Sequence, residues 1–274
     1  MKYADLHVHT HFSDGTFAPE EVVATACEKG LSCIAICDHD CVDGIEPAIE
    51  SARGTSLEVV PGVELTVIED GKEIHLLGYF ISWKEDWFGE LMKRIQRERL
   101  ARVDKMLAKL KDFNIDIKKD DVMRMASGKG SVGRLHVAQA MLESKAVPTI
   151  QAAFSRYIGD CKPCYVHDIG FEAREAIDII NNANGVPVLA HPAMIGDDVL
   201  VRDFIKYGIR GIEVFYANQP RKVTNRYKVL AEEHNLIATG GSDCHGLGKG
   251  RVLMGGVKVP YSVVENLRKE ASKR

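Results

Sequence analysis

The stretch ADLHVHTHFSDG, residues 4–15, places three histidines and two aspartates in twelve positions. A purification tag or a disordered metal-scavenging tract could share that composition, but not these flanks. Tyr3, Asp5, His7 and His9 alternate with apolar residues, the period of a strand, in which side chains two apart share a face. His7 and His9 are therefore expected side by side at a strand end, a chelating geometry. Ser13-Asp14-Gly15 reads as a turn, and Pro19-Glu20-Glu21 opens a helix through Val22, Val23, Ala26 and Cys27 that Gly30 closes. The cluster belongs to the carboxyl end of a strand within a folded unit.

The same unit recurs along the chain. Buried-strand patterns are expected at 3–7, 33–37, 57–63, 74–81, 186–190, 211–215 and 236–239. Helical patterns lie at 19–29, 43–53, 171–184, 197–207, 219–235 and 262–273. Seven strands with mostly helical crossovers predict an α/β chain folded as a parallel barrel or near-barrel, whose reactive groups sit at the carboxyl ends of strands. The open doubly wound sheet is the alternative, but no glycine-rich phosphate loop follows the first strand.

Between about 85 and 166 the alternation stops. The charged amphipathic run LMKRIQRERLARVDKMLAKLKDF is followed by a Gly-Lys-Gly-Ser loop and by helices around 134–145 and 148–158. This predicts a discontinuous barrel, 1–84 and 167–274, with residues 85–166 as a helical insertion covering the site. Residues 93–111 hold eight Lys or Arg against two acidic residues, a local charge of +6. That is a solvated helix face or a basic cover that draws in an anionic substrate.

At 274 residues, 45% hydrophobic and 27% charged, the composition is that of an ordinary globular protein, and a net charge of −3 says little about partners. No run approaches the roughly 20 apolar residues of a membrane span, and no signal-peptide core precedes the first strand, so the expected setting is cytoplasmic. Seven cysteines, an odd number scattered through apparent strands and loops, fit reduced thiols. Cys161 and Cys164 have redox or zinc spacing, but no second pair lies near, and they read as incidental.

Chelating residues recur at the other strand ends. Asp38-His39-Asp40 follows CIAIC, Glu64 follows LEVVPGV, His191 follows VPVLA, and Asp243 and His245 follow IATGG. His75 lies inside a strand. Asp70-Gly71 is a two-residue hairpin signal, and pairing back from it sets Glu69 opposite Lys72 and Thr66 opposite His75. That register makes His75 the diagonal neighbour of Glu64 on one face. His7, His9, Asp14, His39, Glu64, His75, His191, Asp243 and His245 give nine candidate ligands, enough for three ions with Glu64 shared. Mixed imidazole and carboxylate donors suit manganese, zinc or iron(II), and a multi-metal cluster lowers the pKa of bound water and clamps the oxygens of a displacement at phosphorus. His11, His167 and His234 are not expected to be ligands.

These motifs match a known family. With DLHVHTHFSDG, DHD, GVE, HLLGY, AHP and GSDCHG in order from residue 5 to 246, the chain resembles the PHP (polymerase and histidinol phosphatase) superfamily of metal-dependent phosphoesterases. The resemblance implies a distorted seven-stranded (β/α) barrel and three divalent ions, manganese first, with iron(II), zinc or magnesium as substitutes. One ion would be held by His7, His9, Glu64 and Asp243, a second by Glu64, His75 and His191, and a third by Asp14, His39 and His245. Within the superfamily the chain looks most like the stand-alone TrpH/YciV-type branch, whose insertion carries an Arg-x-His-x-Ala motif, here GRLHVAQA with Arg134 and His136. One departure is Cys37 and Cys41, which flank the DHD motif where the family commonly has threonines.

The implied reaction is hydrolysis of a nucleotide phosphomonoester, foremost the 3′-phosphate of nucleoside 3′,5′-bisphosphates such as pAp, by a metal-bridging hydroxide that makes a protein nucleophile unnecessary. Arg134 and Lys162 are candidate phosphate contacts. His136 is a candidate phosphate ligand or proton donor, or else a satisfied helix-interface histidine. Asp40 is a candidate for orienting a ligand or shuttling a proton, or else a structural support of the site, and His191 is a candidate catalytic residue as well as a ligand. The alternatives are a 5′-to-3′ exoribonuclease on short RNA, a histidinol-phosphate-type phosphatase, and a silent metal-stabilised protein that binds nucleic acid. No obligate protein partner is implied.

Overall fold

A computed structural model of the chain describes residues 2–126, 130–167, 170–248 and 250–273. The described elements run β1 (Tyr3–Val8), α1 (Pro19–Glu28), β2 (Cys33–Ile36), α2 (Ile45–Ala52), β3 (Glu58–Glu69) and β4 (Lys72–Tyr79). Four helices follow: α3 (Asp86–Lys111), α4 (Lys119–Met125), α5 (Arg134–Glu143) and α6 (Ile150–Ala153), the last running into a π-helical turn at Phe154–Ile158. Alternation then resumes with α7 (Ala173–Asn182), β5 (Val186–Leu189), α8 (Asp198–Tyr207), β6 (Gly211–Tyr216), α9 (Arg221–Glu233), β7 (Ile237–Gly241), β8 (Val259–Pro260) and α10 (Ser262–Ala271).

The strands form one sheet in the order β7-β6-β5-β4-β3-β2-β1-β8. It curls until the chain beyond β7 meets β1, where Val8 bridges Cys244 in parallel and His9 N–H donates to the Cys244 carbonyl at 3.0 Å. Gly241 permits that approach, because a Cβ there would collide with the His7 backbone. All seven expected strands are present, and the chain has the α/β barrel expected of it. Two details correct the sequence reading. The sheet is not wholly parallel, since β4 runs against both β3 and β5, a consequence of the two-residue turn at Asp70-Gly71 that leaves no room for a crossover. An eighth strand of two residues also pairs with Tyr3 and Ala4 at the start of β1. The hairpin register is the expected one, Glu69 opposite Lys72 and Thr66 opposite His75.

Alternation along the strands sorts two cores. Cys33, Ala35 and Cys37 join Leu6, Leu77, Tyr79, Val186 and Val188 in one, capped by Val264 and Leu267 of α10. Ile34 and Ile36 join the other, beneath the surrounding helices. A third cluster, including Val103, Met106, Leu110, Val122, Val137, Met141 and Ile158, lies wholly among the elements between β4 and α7. Helix α4 was not foreseen, and residues 128 and 129 of the Gly-Lys-Gly-Ser loop lie outside the described residues. Among the described residues no helix is long and apolar enough to cross a membrane.

Candidate metal centre and substrate cleft

Strand ends bring all nine candidate ligands to one end of the barrel. Crowding is most severe at Glu64. Its Oε2 lies 3.3 Å from both His7 Nε2 and His9 Nε2 and 3.1 Å from His39 Nδ1. Its Oε1 lies 3.0 Å from His75 Nδ1 and 3.1 Å from His191 Nε2. A carboxylate offers about four lone-pair sites, so five imidazoles cannot each donate to it. Asp243 Oδ1 lies 3.1 Å from His9 Nε2 and 3.4 Å from His245 Nδ1, and Asp14 Oδ1 lies 3.0 Å from His245 Nε2.

Proton chemistry does not satisfy this arrangement. Asp14 Oδ1, His39 Nδ1 and Glu64 Oε2 are buried without a hydrogen bond, and His7 Nε2 and His9 Nε2 stand 3.1 Å apart. Lone pairs aimed at common points, in a buried set of imidazoles and carboxylates, fit divalent cations. Donor atoms lie within 4.8 Å of one another in three groups: His9, Asp14, His39 and His245; His7, His9 and Asp243; and His39, Glu64 and His75. The expected ligand sets overlap with these, with His9 and His39 each shared between groups and His191 reaching Glu64 and His75. Burial pushes the imidazoles down, but Asp243 and Glu64 hold His9 up at about 9, and Glu64 and Glu73 hold His75 up at about 10. At His39 burial prevails and the pKa falls well below its usual value.

A second tier of bonds holds these groups in place. Asp38 accepts from Thr10 N (2.7 Å), Thr10 Oγ1 (2.7 Å) and Ser13 Oγ (2.6 Å), fixing the turn that carries Asp14. Asp5 accepts from Ser242 N at 2.7 Å and Gly255 N at 3.0 Å, fixing the loop that carries Asp243, while Tyr216 donates to Asp243 Oδ2 at 2.7 Å. Asp40 (φ 46°), His191 (φ 26°) and Asp243 (φ 51°) are left-handed without being glycine, a conformation that costs about 1–3 kcal/mol per residue and concentrates at functional sites. Both Asp40 oxygens are occupied: Oδ1 accepts from Thr66 N at 2.9 Å, and Oδ2 accepts from Thr66 Oγ1 at 2.7 Å and from Arg99. These three bonds tie the turn after β2 to β3 and to α3.

Above the floor formed by the candidate ligands lies a cleft of about 740 Å³. Arg99, Arg102 and Arg134 line it together with Leu142, Pro148, Ile150, Phe154 and Met194. Arg134 stacks near Phe154 and Tyr165, and its Nη1 and Nη2 pair at 2.6 Å with Asp160 and Glu73. Glu73 in turn accepts from His75 Nε2 at 3.0 Å, linking the insertion to a candidate ligand. Lys162 is exposed and is not among the residues lining the cleft, because it sits on the outer turn after the π-helical segment. His136 is 1% exposed and is also absent from the lining. Its Nδ1 accepts from the Gly133 N–H at 3.0 Å at the start of α5, and burial lowers its pKa despite the Ser13 backbone bond. His136 thus lies at the interface between the start of α5 and the turn that carries Asp14.

Arg99 and Arg102 were not singled out in the sequence, although a signal was there. They continue the stripe Phe88, Met92, Ile95, Arg99, Arg102, Met106, Leu110, so two guanidiniums occupy core-facing positions of α3. Glu73 and Glu213 were overlooked in the same way, as charges within strands read only for apolar content. Cys37 and Cys41 are buried thiols whose pKa values burial drives well up, so neither is poised as a thiolate.

The family model of the PHP domain matches residues 5–155. The 3′,5′-nucleoside bisphosphate phosphatase of Chromobacterium violaceum is 31% identical over 255 residues, 91% of this chain and 90% of that protein. The 5′-3′ exoribonuclease Rnm of Escherichia coli is 32% identical over 248 residues, 88% of this chain and 84% of the relative. A solved structure from Bifidobacterium adolescentis, assigned as a metal-dependent phosphoesterase, superposes with a TM-score of 0.89 at 28% identity, covering 97% of this chain and 96% of the other.

Proposed function

Because the chain belongs to the PHP domain family of metal-dependent phosphoesterases, we propose that it removes the 3′-phosphate from nucleoside 3′,5′-bisphosphates such as pAp. The observation that carries this reading is the lining of the cleft. Carboxylates and imidazoles, guanidiniums and apolar side chains line one space, the three kinds of group that an ester to be cleaved, a second phosphate and a base call for. Its volume falls within the roughly 300–1,000 Å³ of small-molecule pockets.

In this reading His7, His9, Glu64 and Asp243, then Glu64, His75 and His191, then Asp14, His39 and His245 hold three divalent ions, manganese foremost. Such ions, when bound, supply an activated water and a clamp on the attacking and leaving oxygens. The chain's own residues do the rest. Arg134 presents a planar fork to phosphate, releasing Asp160 or Glu73 as it does so. Arg99 ties Asp40 to Thr66 of β3. His191, which lines the cleft near Met194, is placed to meet substrate as well as metal. Residues 85–166 act as the cover and exclude water, over a barrel of 1–84 and 167–274. Reduced thiols go with a cytoplasmic setting.

The test is phosphate release by the manganese-loaded protein from pAp, with 5′-AMP and a short 5′-phosphorylated RNA in parallel. Fast release from pAp, leaving AMP, is the expected result. Turnover of RNA alone would replace the bisphosphate with the exoribonuclease reading.

A further inference from the structure

Glu213 is not one of the nine candidate ligands, yet both its oxygens end on two of them. It is fully buried within β6, in the apolar run GIEVF. Oε1 accepts from His7 Nδ1 at 3.1 Å, and Oε2 accepts from the His191 backbone N–H at 2.8 Å. A buried carboxylate is costly unless its lone pairs are used, and here two of them are spent on the metal-binding floor. A bulge serves the same end: Glu213 pairs with Thr239 but Phe215 with Gly240, one extra residue on β6. Tyr216 is thereby turned toward Asp243, to which it donates at 2.7 Å.

We propose that Glu213 is a positioning residue of the metal centre. It keeps the proton of His7 on Nδ1, so that the Nε2 lone pair points at the space shared with Glu64, His9 and Asp243. It also fastens His191, held at φ 26° and ψ 59°, in a left-handed backbone conformation that is costly for a residue other than glycine. One side chain on β6 thus sets a ligand from β1 and a ligand from the β5 end. Carboxylates that hold the outer nitrogen of a metal-binding histidine typically change metal affinity by about 10–100-fold. The inference rests on the reading that His7 and His191 hold metal.

The informative variant is Glu213→Gln, which can still accept from His7 but offers an N–H₂ where the His191 N–H needs an acceptor. Manganese and cobalt affinities of the metal-free full chain are measured beside its melting temperature and the visible spectrum of the cobalt form. A dissociation constant raised by about 10–100-fold, with an altered cobalt spectrum and the metal-free fold kept, is expected. Wild-type affinity and spectrum with only a lower melting temperature would reduce Glu213 to a buried brace and overturn the proposal. Should the wild type itself take up no divalent ion, the metal reading fails along with it; an unaffected variant of a metal-binding wild type fails the inference alone. Histidine ¹⁵N NMR of the zinc-loaded wild type tests it without any substitution: His7 protonated at Nδ1 is expected, and a proton on Nε2 would overturn it.

Discussion

On the floor of the cleft, His7, His9 and Glu64 converge from strand ends, whereas on its wall Arg134 reaches from α5 to pair at 2.6 Å with Asp160 and with Glu73 of β4. The floor is placed by backbone pairing: His7 by β1, Glu64 and His75 by the β3–β4 ladder, and the loops beyond β5 and β7 by buried carboxylates. On the wall, Arg134 comes from a separately packed helical unit and is held by ion pairs to Asp160 and to Glu73 of β4, pairs of a kind that a phosphate can exchange with. Rigid placement suits bond breaking, and exchangeable pairing suits selection. Floor variants should therefore lose metal and turnover together, and wall variants should change substrate affinity.

The largest effect is expected at Glu64. Glu64→Gln removes the charge shared by five imidazoles, and metal content and kcat should both fall by well over the roughly 100-fold upper range of an outer-sphere loss. Metal analysis and steady-state rates check this, and an active, fully loaded variant would break the division. Next, Arg134→Lys gives up the two-pronged grip, so KM should rise about 10–100-fold, the worth of a charged hydrogen bond of about 1.5–3 kcal/mol, with kcat held. A fall in kcat alone would move Arg134 to the floor's role.

Protons should compete with metal. Glu64 and its carboxylate neighbours hold His9 up at about 9 and His75 up at about 10, so metal uptake near pH 7 should release protons. Affinity should weaken as pH falls, about tenfold per pH unit for each proton displaced, and calorimetry in buffers of different ionisation enthalpy reads that number. Smaller still, His136→Ala should cost about 1–2 kcal/mol of stability through the lost helix-start bond, seen in the melting temperature, with kcat unchanged. Lys162→Ala should alter neither quantity beyond about 0.5 kcal/mol, the range of surface substitutions.

The floor was legible because its signals are local. Ligands two apart at a strand end, and a Asp-Gly turn that fixes the register of His75 against Thr66, need only strand periodicity to be read. The wall was legible in part. Arg134 follows Gly133 at the start of α5 and does reach the cleft, but His136 at the third helical position turns back to cap that helix, and Lys162 turns outward. Arg99, Arg102, Glu73 and Glu213 escaped notice because a charge inside an apolar pattern reads as noise until a partner from another element stands beside it. The antiparallel course of β4 followed from the hairpin already recognised, yet the helical crossovers around it pointed to a parallel sheet.

Metal content per chain, followed while manganese is titrated into the chelator-stripped protein and phosphate release is recorded, tests the central claim most directly. Activity absent at zero metal and rising with loading toward three ions per chain is the expected result. Full phosphoesterase activity in the stripped protein, with no ion bound, would contradict the account.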